Sequence, residues 1–265
     1  MSDRADTARL PAVDGHAHLA EMEDVQSSLG DARKEGVEAV IAVGMDLASN
    51  QRTFQIAKLN EDFVFPAIGY HPWSIRKVDV DKTISFIETE VDRAVALGEV
   101  GLDFKIAVRR DVQEEVLTAL AELACLHDKP LILHCRHAYE RVFSIVTSAG
   151  VQKAVFHWYV DTLDLLGAIV DAGYFISATP ALQYSPPHQT AIREAPIERI
   201  LLETDCPVEY QQKASRPGDV MLTLREVARL KGLSAEEVAR KTTDNAVRFF
   251  GLPGFFLQDN HPSGP

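Results

Sequence analysis

The feature that most constrains this chain is its rhythm, in which short apolar, β-branched runs alternate with longer amphipathic stretches from near residue 10 to near residue 207. Alternation of this kind is the pattern of βαβ units, whose strands are buried on both faces and joined by crossover helices. The runs at 10–19, 39–45, 64–71, 98–104, 130–135, 153–158, 174–178 and 199–204 predict eight strands. Eight such units in 265 residues, close to the ~250 of a (β/α)8 barrel, favour that closed TIM barrel over an open doubly wound sheet. Amphipathic periodicity predicts helices at 24–35, 49–60, 79–97, 110–127, 139–149, 162–172 and 187–194, then 220–230 and 235–250 after the last strand. Gly36, Gly98, Gly150, Gly173 and Gly232 stand where helices should stop, and Ser234 precedes Glu237 at capping-box spacing. The expected organisation is one barrel domain over 10–251, a frayed segment at 1–9 and a Pro/Gly-bearing tail at 252–265. The stretches 183–188 and 207–219 carry no strong period and fall on the strand-exit side, where barrels build substrate loops.

Strands buried on both faces should not finish in charge, because burying such groups without partners is expensive. These strands nevertheless do so: Asp14-Gly15-His16-Ala17-His18 closes the first, Gly69-Tyr70-His71 the third, Leu133-His134 the fifth, Phe156-His157 the sixth and Glu203-Thr204-Asp205 the eighth, while Gly98-Glu99-Val100-Gly101 lies in the fourth. All converge on the C-terminal mouth, the face where this class of barrel places its active site. His16 and His18 are two apart on an extended strand, so both imidazoles point the same way, as chelation requires. With His134, His157, Glu99 and Asp205 they make a set of borderline and hard donors suited to Zn²⁺, Mn²⁺ or Mg²⁺. Six donors exceed the needs of one tetrahedral ion. Two metals ~3.5–4 Å apart, bridged by a carboxylate, use them all and leave room for water.

Charge and cysteine content bound the rest. The net charge of −12 excludes a protein that coats nucleic acid or anionic membrane by bulk electrostatics. Three scattered cysteines, Cys125, Cys135 and Cys206, and no secretory signal pattern point to a reduced, cytoplasmic protein, and no apolar run reaches the ~20 residues of a bilayer span. No membrane association and no obligate protein partner are expected.

On the ordered set Asp14-Gly15-His16-Ala17-His18-Leu19, Gly69-Tyr70-His71-Pro72, Gly98-Glu99-Val100-Gly101-Leu102-Asp103, Pro130-Leu131-Ile132-Leu133-His134-Cys135-Arg136, Phe156-His157, Glu203-Thr204-Asp205-Cys206-Pro207, Asn245-Ala246 and Phe250-Gly251, the chain resembles the TatD family of metal-dependent deoxyribonucleases. The likeness spans roughly residues 11 to 251. It implies that His16, His18, Glu99 and Asp205 hold one metal, that Glu99 bridges to a second held by His134 and His157, and that Asp205 orients or deprotonates the attacking water. It also implies hydrolysis of phosphodiester bonds in DNA; the net charge of −12 predicts weak, strongly salt-sensitive binding to long nucleic acid, with chemistry concentrated at ends or single strands. Two substrate-loop segments depart from the family: His157-Trp158-Tyr159-Val160-Asp161 replaces His-Cys-Phe-Ser-Gly, and Ser215-Arg216-Pro217-Gly218 stands where Arg-Asn-x-Pro is usual.

Other residues carry two readings each. His71 lines the substrate pocket or plays a structural part beneath Pro72. Arg136 clamps a phosphate or pairs with a neighbouring helix. Asp14 and Asp103 accept from ligand N–H groups or cap turns. Arg110 and Gln113 match a family Arg-x-x-Gln pattern or make helix-surface salt bridges. Cys135 and Cys206 pack; His127, His137, His188 and His261 are surface or helix residues. Trp73 and Trp158 pack at the rim or stack a base. The rival enzyme class is an amidohydrolase-type esterase, lactonase, phosphotriesterase or aminoacyl-tRNA deacylase using the same metal pair. Phosphotriesterase-like relatives bridge with a modified lysine on strand four, where this chain has Glu99 and no lysine before Lys105. A non-enzymatic scaffold with a closed structural metal site is the remaining alternative.

Overall fold

The computed structural model describes residues 10–76 and 78–253. Residues 1–9, expected to fray, most of the tail at 252–265 and His261 lie outside the described residues. Eight parallel strands run in sequence order: β1 Ala12–Ala17, β2 Val37–Val43, β3 Val64–Ile68, β4 Ala96–Asp103, β5 Leu131–Arg136, β6 Ala154–Phe156, β7 Phe175–Ala178 and β8 Ile200–Leu202. The first and last strands close on each other beyond the end of β8. There Asp205 N donates to His16 O at 2.9 Å and His18 N to Cys206 O at 2.7 Å. The expected (β/α)8 barrel is the observed one.

The crossover helices are α1 Val25–Glu35, α2 Leu47–Leu59, α3 Val80–Glu90, α4 Arg110–Leu126, α5 Tyr139–Ser148, α6 Leu163–Asp171 and α7 Pro186–Glu194, followed by α8 Val220–Lys231 and α9 Ala235–Phe250. Gly36, Gly150, Gly173 and Gly232 have positive φ, as helix stops do. Gly98 does not fit that expectation. The helix predicted at 79–97 ends at Glu90, a 3-10 turn covers Val91–Arg93, and β4 begins at Ala96, so Gly98 lies inside a strand. Pairing decides it: Ala96 and Leu97 sit opposite Ala67 and Ile68 of β3, and Leu97 also opposite Leu131 of β5. Ser234 accepts from Glu237 N, one half of the predicted box. The stretch 207–219 contains a small hairpin, β9 Glu209–Tyr210 with β10 Lys213–Ala214. Its turn residues Gln211 and Gln212 hold φ of 51° and 67° without the Asn-Gly signature that would have announced it.

Two apolar layers hold the barrel. The outer one joins the outward faces of the strands to the helices. The inner one takes residues from every strand, among them Val13, Ala39, Ile41, Val43, Ala67, Ala96, Ile132, Val155 and Leu201, with Phe65 and Phe175 at its margin. The end of α9 supplies Ala246, Val247, Phe249 and Phe250 to the same layer. This helix plugs the N-terminal end of the barrel, so the polar strand ends are confined to the other mouth.

Candidate metal centre

Which face of a strand a residue occupies follows from alternation, and alternation from the inner layer places His134, His157 and Asp205 inside without further help. Ile132, Val155 and Leu201 face inward, and the three polar residues lie two or four positions later. His16, His18 and Glu99 need something else. Counting by twos from Val13 or Ala96 sends all three outward, against the helices. Both strands carry a register shift that reverses the count. Along β1, Asp14 pairs with Val40 and Ala17 with Ala42, so three steps oppose two. Along β4, Leu97 pairs with Leu131 and Val100 with Leu133, again three against two. One extra residue in each strand flips everything after it to the other face. These two bulges turn His16, His18 and Glu99 into the mouth.

The donor atoms then lie close together. His16 Nε2 is 3.0 Å from His18 Nε2. Glu99 Oε2 is 3.4 Å from the first nitrogen and 3.2 Å from the second. Asp205 Oδ1 is 3.5 and 3.4 Å from them. A tetrahedron of donors held ~2.0–2.1 Å from a divalent ion has edges of about 3.3–3.4 Å, so these separations fit such a coordination shell. The other oxygen of Glu99 faces the opposite way: Oε1 is 2.7 Å from His134 Nδ1, 3.0 Å from His157 Nε2 and 3.5 Å from His71 Nε2. One carboxylate therefore serves two groups of imidazoles, the arrangement a bridging ligand requires. His16 Nδ1 and His134 Nε2, the ring nitrogens opposite those that face Glu99, are buried with no hydrogen-bond partner among the described residues.

The electrostatics agree. Burial opposes charge on His18, His157, Glu99 and Asp205, yet the site keeps both signs. Despite burial, the Asp205 and Glu99 carboxylates push the His18 pKa up to about 10. His157 is likewise raised by Glu99 and Glu203 against its desolvation. Glu99 is held well below the carboxylate range, although burial raises it, by His71, His157 and His16. At His71 burial outweighs the pull of Glu99, and its pKa falls to about 4. A pocket whose carboxylates raise His18 and His157 against burial favours positive charge, which a divalent cation also supplies.

Supporting contacts fix the rings. His18 Nδ1 lies 3.3 Å from Val43 O, which turns Nε2 toward the carboxylates. His157 Nδ1 lies 3.3 Å from Glu203 Oε1, with the same effect. Asp14 accepts from Thr204 N and Oγ1 at 2.9 and 2.7 Å, tying β1 to the end of β8 instead of holding an imidazole. Gly101, at φ +154°, lets β4 lie so close to β5 that a Cβ would stand 2.0 Å from His134 O. Asp205 and Trp158 turn the chain at the mouth with φ of 53° and 45°, left-handed values that cost ~1–3 kcal/mol each without glycine.

The donors other than His16 floor a cavity of about 470 Å³ whose wall includes His71, Trp73, Arg136, Tyr139, Trp158 and Val160. His71 and Arg136, the two expected substrate contacts, both line it. His71 Nδ1 accepts from Trp73 N at 3.1 Å and its Nε2 faces Glu99, so it shares the floor with the donors. Arg136 stands 3.6 Å from Asp103, on the neighbouring strand and not on a helix. Gln113 is no surface residue: it is buried, donating to Asp103 O and Val108 O and accepting from Asp103 N, while Arg110 lies over the Phe104 ring. Cys135 and Cys206 are buried and free. His188 is buried in α7 at 2.9 Å from Tyr159 O. Sequence reasoning passed over Glu203, although the period of two that paired His16 with His18 also pairs Glu203 with Asp205; its carboxylate sits within metal-binding reach of His16 and His157.

Comparison with known proteins shows the family and the fold. Residues 13–251 match the profile of the TatD related DNase family. The chain is 30% identical over 270 residues to the deoxyribonuclease TATDN3 of Homo sapiens, covering 95% of this chain and 98% of that one. It is 30% identical over 250 residues to the 3'-5' ssDNA/RNA exonuclease TatD of Pantoea ananatis, covering 86% and 94%. Among solved structures, the TatD homologue YJJV of Escherichia coli superposes with a TM-score of 0.84 at 24% identity, over 91% of this chain and 98% of that one.

Proposed function

The chain belongs to the TatD related DNase family, and from that premise we propose that it is a two-metal phosphodiesterase that trims DNA at ends or in single strands. The hydrolytic unit spans residues 10–251. His16, His18, Glu99 and Asp205 hold one divalent ion; Glu99, His134 and His157 hold the second, with Mg²⁺, Mn²⁺ or Zn²⁺ compatible with the donors. The observation that carries this reading is the split of Glu99, whose Oε2 faces one histidine pair at 3.2–3.4 Å and whose Oε1 faces another at 2.7–3.0 Å.

Bound there, such ions supply a water acidic enough to attack at neutral pH and polarise the phosphoryl oxygen. Asp205 accepts the proton of the attacking water at Oδ2, since its Oδ1 is turned to the imidazoles. Arg136, half-exposed at the rim, takes the non-bridging phosphate oxygens. His71 presents its Nε2 to the same space, fixed by the Trp73 N–H at Nδ1. Three cysteines without a disulfide suit a reducing compartment, the cytoplasm, and among the described residues no helix is long and apolar enough to cross a membrane. The acidic chain meets nucleic acid only locally, so binding is weak and salt-sensitive.

A panel of single-stranded and duplex DNA, RNA, lactones, aryl esters and amides, each with Mg²⁺, Mn²⁺ and Zn²⁺, tests the proposal. Metal-dependent shortening of DNA is expected, lost in Glu99→Ala. Turnover confined to esters, lactones or amides would transfer the site to the amidohydrolase-type reading.

A further inference from the structure

We propose that Trp73 is a stacking platform for an unpaired nucleobase next to the scissile phosphodiester, an inference that rests on the phosphodiesterase reading above. The indole is 58% exposed although it lines the cavity. A tryptophan left this open ordinarily has rotational freedom, but this one is anchored: Nε1 donates to Asp103 Oδ2 at 2.6 Å. Asp103 is itself immobile. It is fully buried, its Oδ1 accepts from Lys105 N at 2.8 Å, and its backbone is clasped by the buried Gln113. The oxygen that holds the indole also stands 3.6 Å from the Arg136 guanidinium and 3.8 Å from His134 Nε2. One buried carboxylate thus sets the spacing between an exposed aromatic ring, a phosphate-binding cation and a metal-ligating histidine.

Below, the indole meets the site edge-on, its centroid 4.8 Å from the His71 ring and 5.8 Å from the His134 ring. An aromatic plane, a guanidinium and a histidine of the reaction centre, gathered around one carboxylate, offer side by side the surfaces that a base and its adjacent phosphate need. Stacking on an indole is tolerant of base identity because every base has a π-face. Inside a duplex both faces of a base are already covered by neighbours, so the platform accepts only unpaired nucleotides. The recognised chemistry is therefore a single-stranded or frayed end, of any sequence, read by its base plane.

The test compares full-length wild type, Trp73→Ala and Trp73→Phe on two single-stranded oligonucleotides, one with normal residues flanking the scissile bond and one with abasic tetrahydrofuran residues there. The readout is the ratio of kcat/KM on the first to kcat/KM on the second. Wild type should show a preference of roughly 5- to 150-fold for the base-bearing strand, Trp73→Ala should bring the ratio close to one, and Trp73→Phe, which keeps an aromatic face but loses the Nε1 anchor, should fall between the two. An equal fall on both substrates, with the ratio preserved, would mean that Trp73 only shapes the pocket, and would overturn the proposal. A separate arm titrates chelator-treated protein with the base-bearing strand and follows tryptophan emission. Quenching in wild type that is largely lost in Trp73→Phe supports stacking; no quenching in wild type refutes it. If wild type cleaves neither strand, the nuclease reading fails, and the quenching arm still decides the platform.

Discussion

Replacing Glu203 with glutamine isolates the contribution of a residue that touches a metal-binding histidine from behind. Its carboxylate is buried and lies 3.3 Å from His157 Nδ1, while His157 Nε2 faces Glu99 at 3.0 Å. The anion keeps the Nδ1 proton in place and makes the opposite nitrogen a better donor to a metal. One buried, charge-assisted hydrogen bond of this kind is worth ~1.5–3 kcal/mol. Metal affinity should therefore fall by roughly 10- to 150-fold, and outer-shell substitutions elsewhere cost a comparable 10- to 100-fold. Glutamine keeps the shape and one polar contact, so Glu203→Gln should fall at the lower end and Glu203→Ala at the upper. Manganese titration at neutral pH, followed by calorimetry and by the paramagnetic resonance of free Mn²⁺, measures it. The step involving His157 should weaken, with circular dichroism unchanged. An isotherm superimposable on that of wild type would refute the reasoning, because Glu203 would then contribute nothing through the imidazole.

Removing Glu99 strips a donor from both halves of the site, so Glu99→Ala should lose several kcal/mol of transition-state stabilisation, at least about a thousandfold in kcat, with a folded spectrum; wild-type-like turnover would rule out a bridging role. Gly101→Ala forces a Cβ to within 2.0 Å of His134 O at φ +154°, so denaturant unfolding should show a loss of at least ~2 kcal/mol and metal binding should weaken with it. His188, buried and held at a pKa of about 4 mainly by desolvation, gives a pH test whose sign is fixed. Above its unfolded value near 6.5 both states carry a neutral ring and stability is full; as the pH falls toward 4 only the unfolded chain gains the proton, removing about 3 kcal/mol. His188→Gln should be less stable than wild type at pH 8 and close much of that gap at pH 4.5, and a pH-independent difference would contradict the assignment.

The barrel was legible because each unit states itself twice, once as an apolar run and once as an amphipathic helix. The boundaries that failed did so where local pattern is ambiguous. Ala94-Val95-Ala96-Leu97 suits a helix end as well as a strand start, and only the partners Ala67, Ile68 and Leu131 settle which it is. The hairpin after β8 escaped because Gln211-Gln212 carries none of the usual turn chemistry. Trp73 kept two readings, packing or stacking, for another reason: nothing within a few residues of it reveals that Asp103, thirty positions away, will hold its indole.

The amino-acid order by itself determined that the strands end in His, Glu and Asp, and that His16 with His18, and Glu203 with Asp205, share a face, because side chains on an extended strand repeat every second residue. It did not determine whether that face looks inward. For His134, His157 and Asp205 regular alternation from the inner layer suffices. For His16, His18 and Glu99 the answer is reversed by one extra residue in β1 and one in β4. A bulge is defined by the strand opposite as much as by its own residues, so the packed barrel alone brings these three side chains to the others.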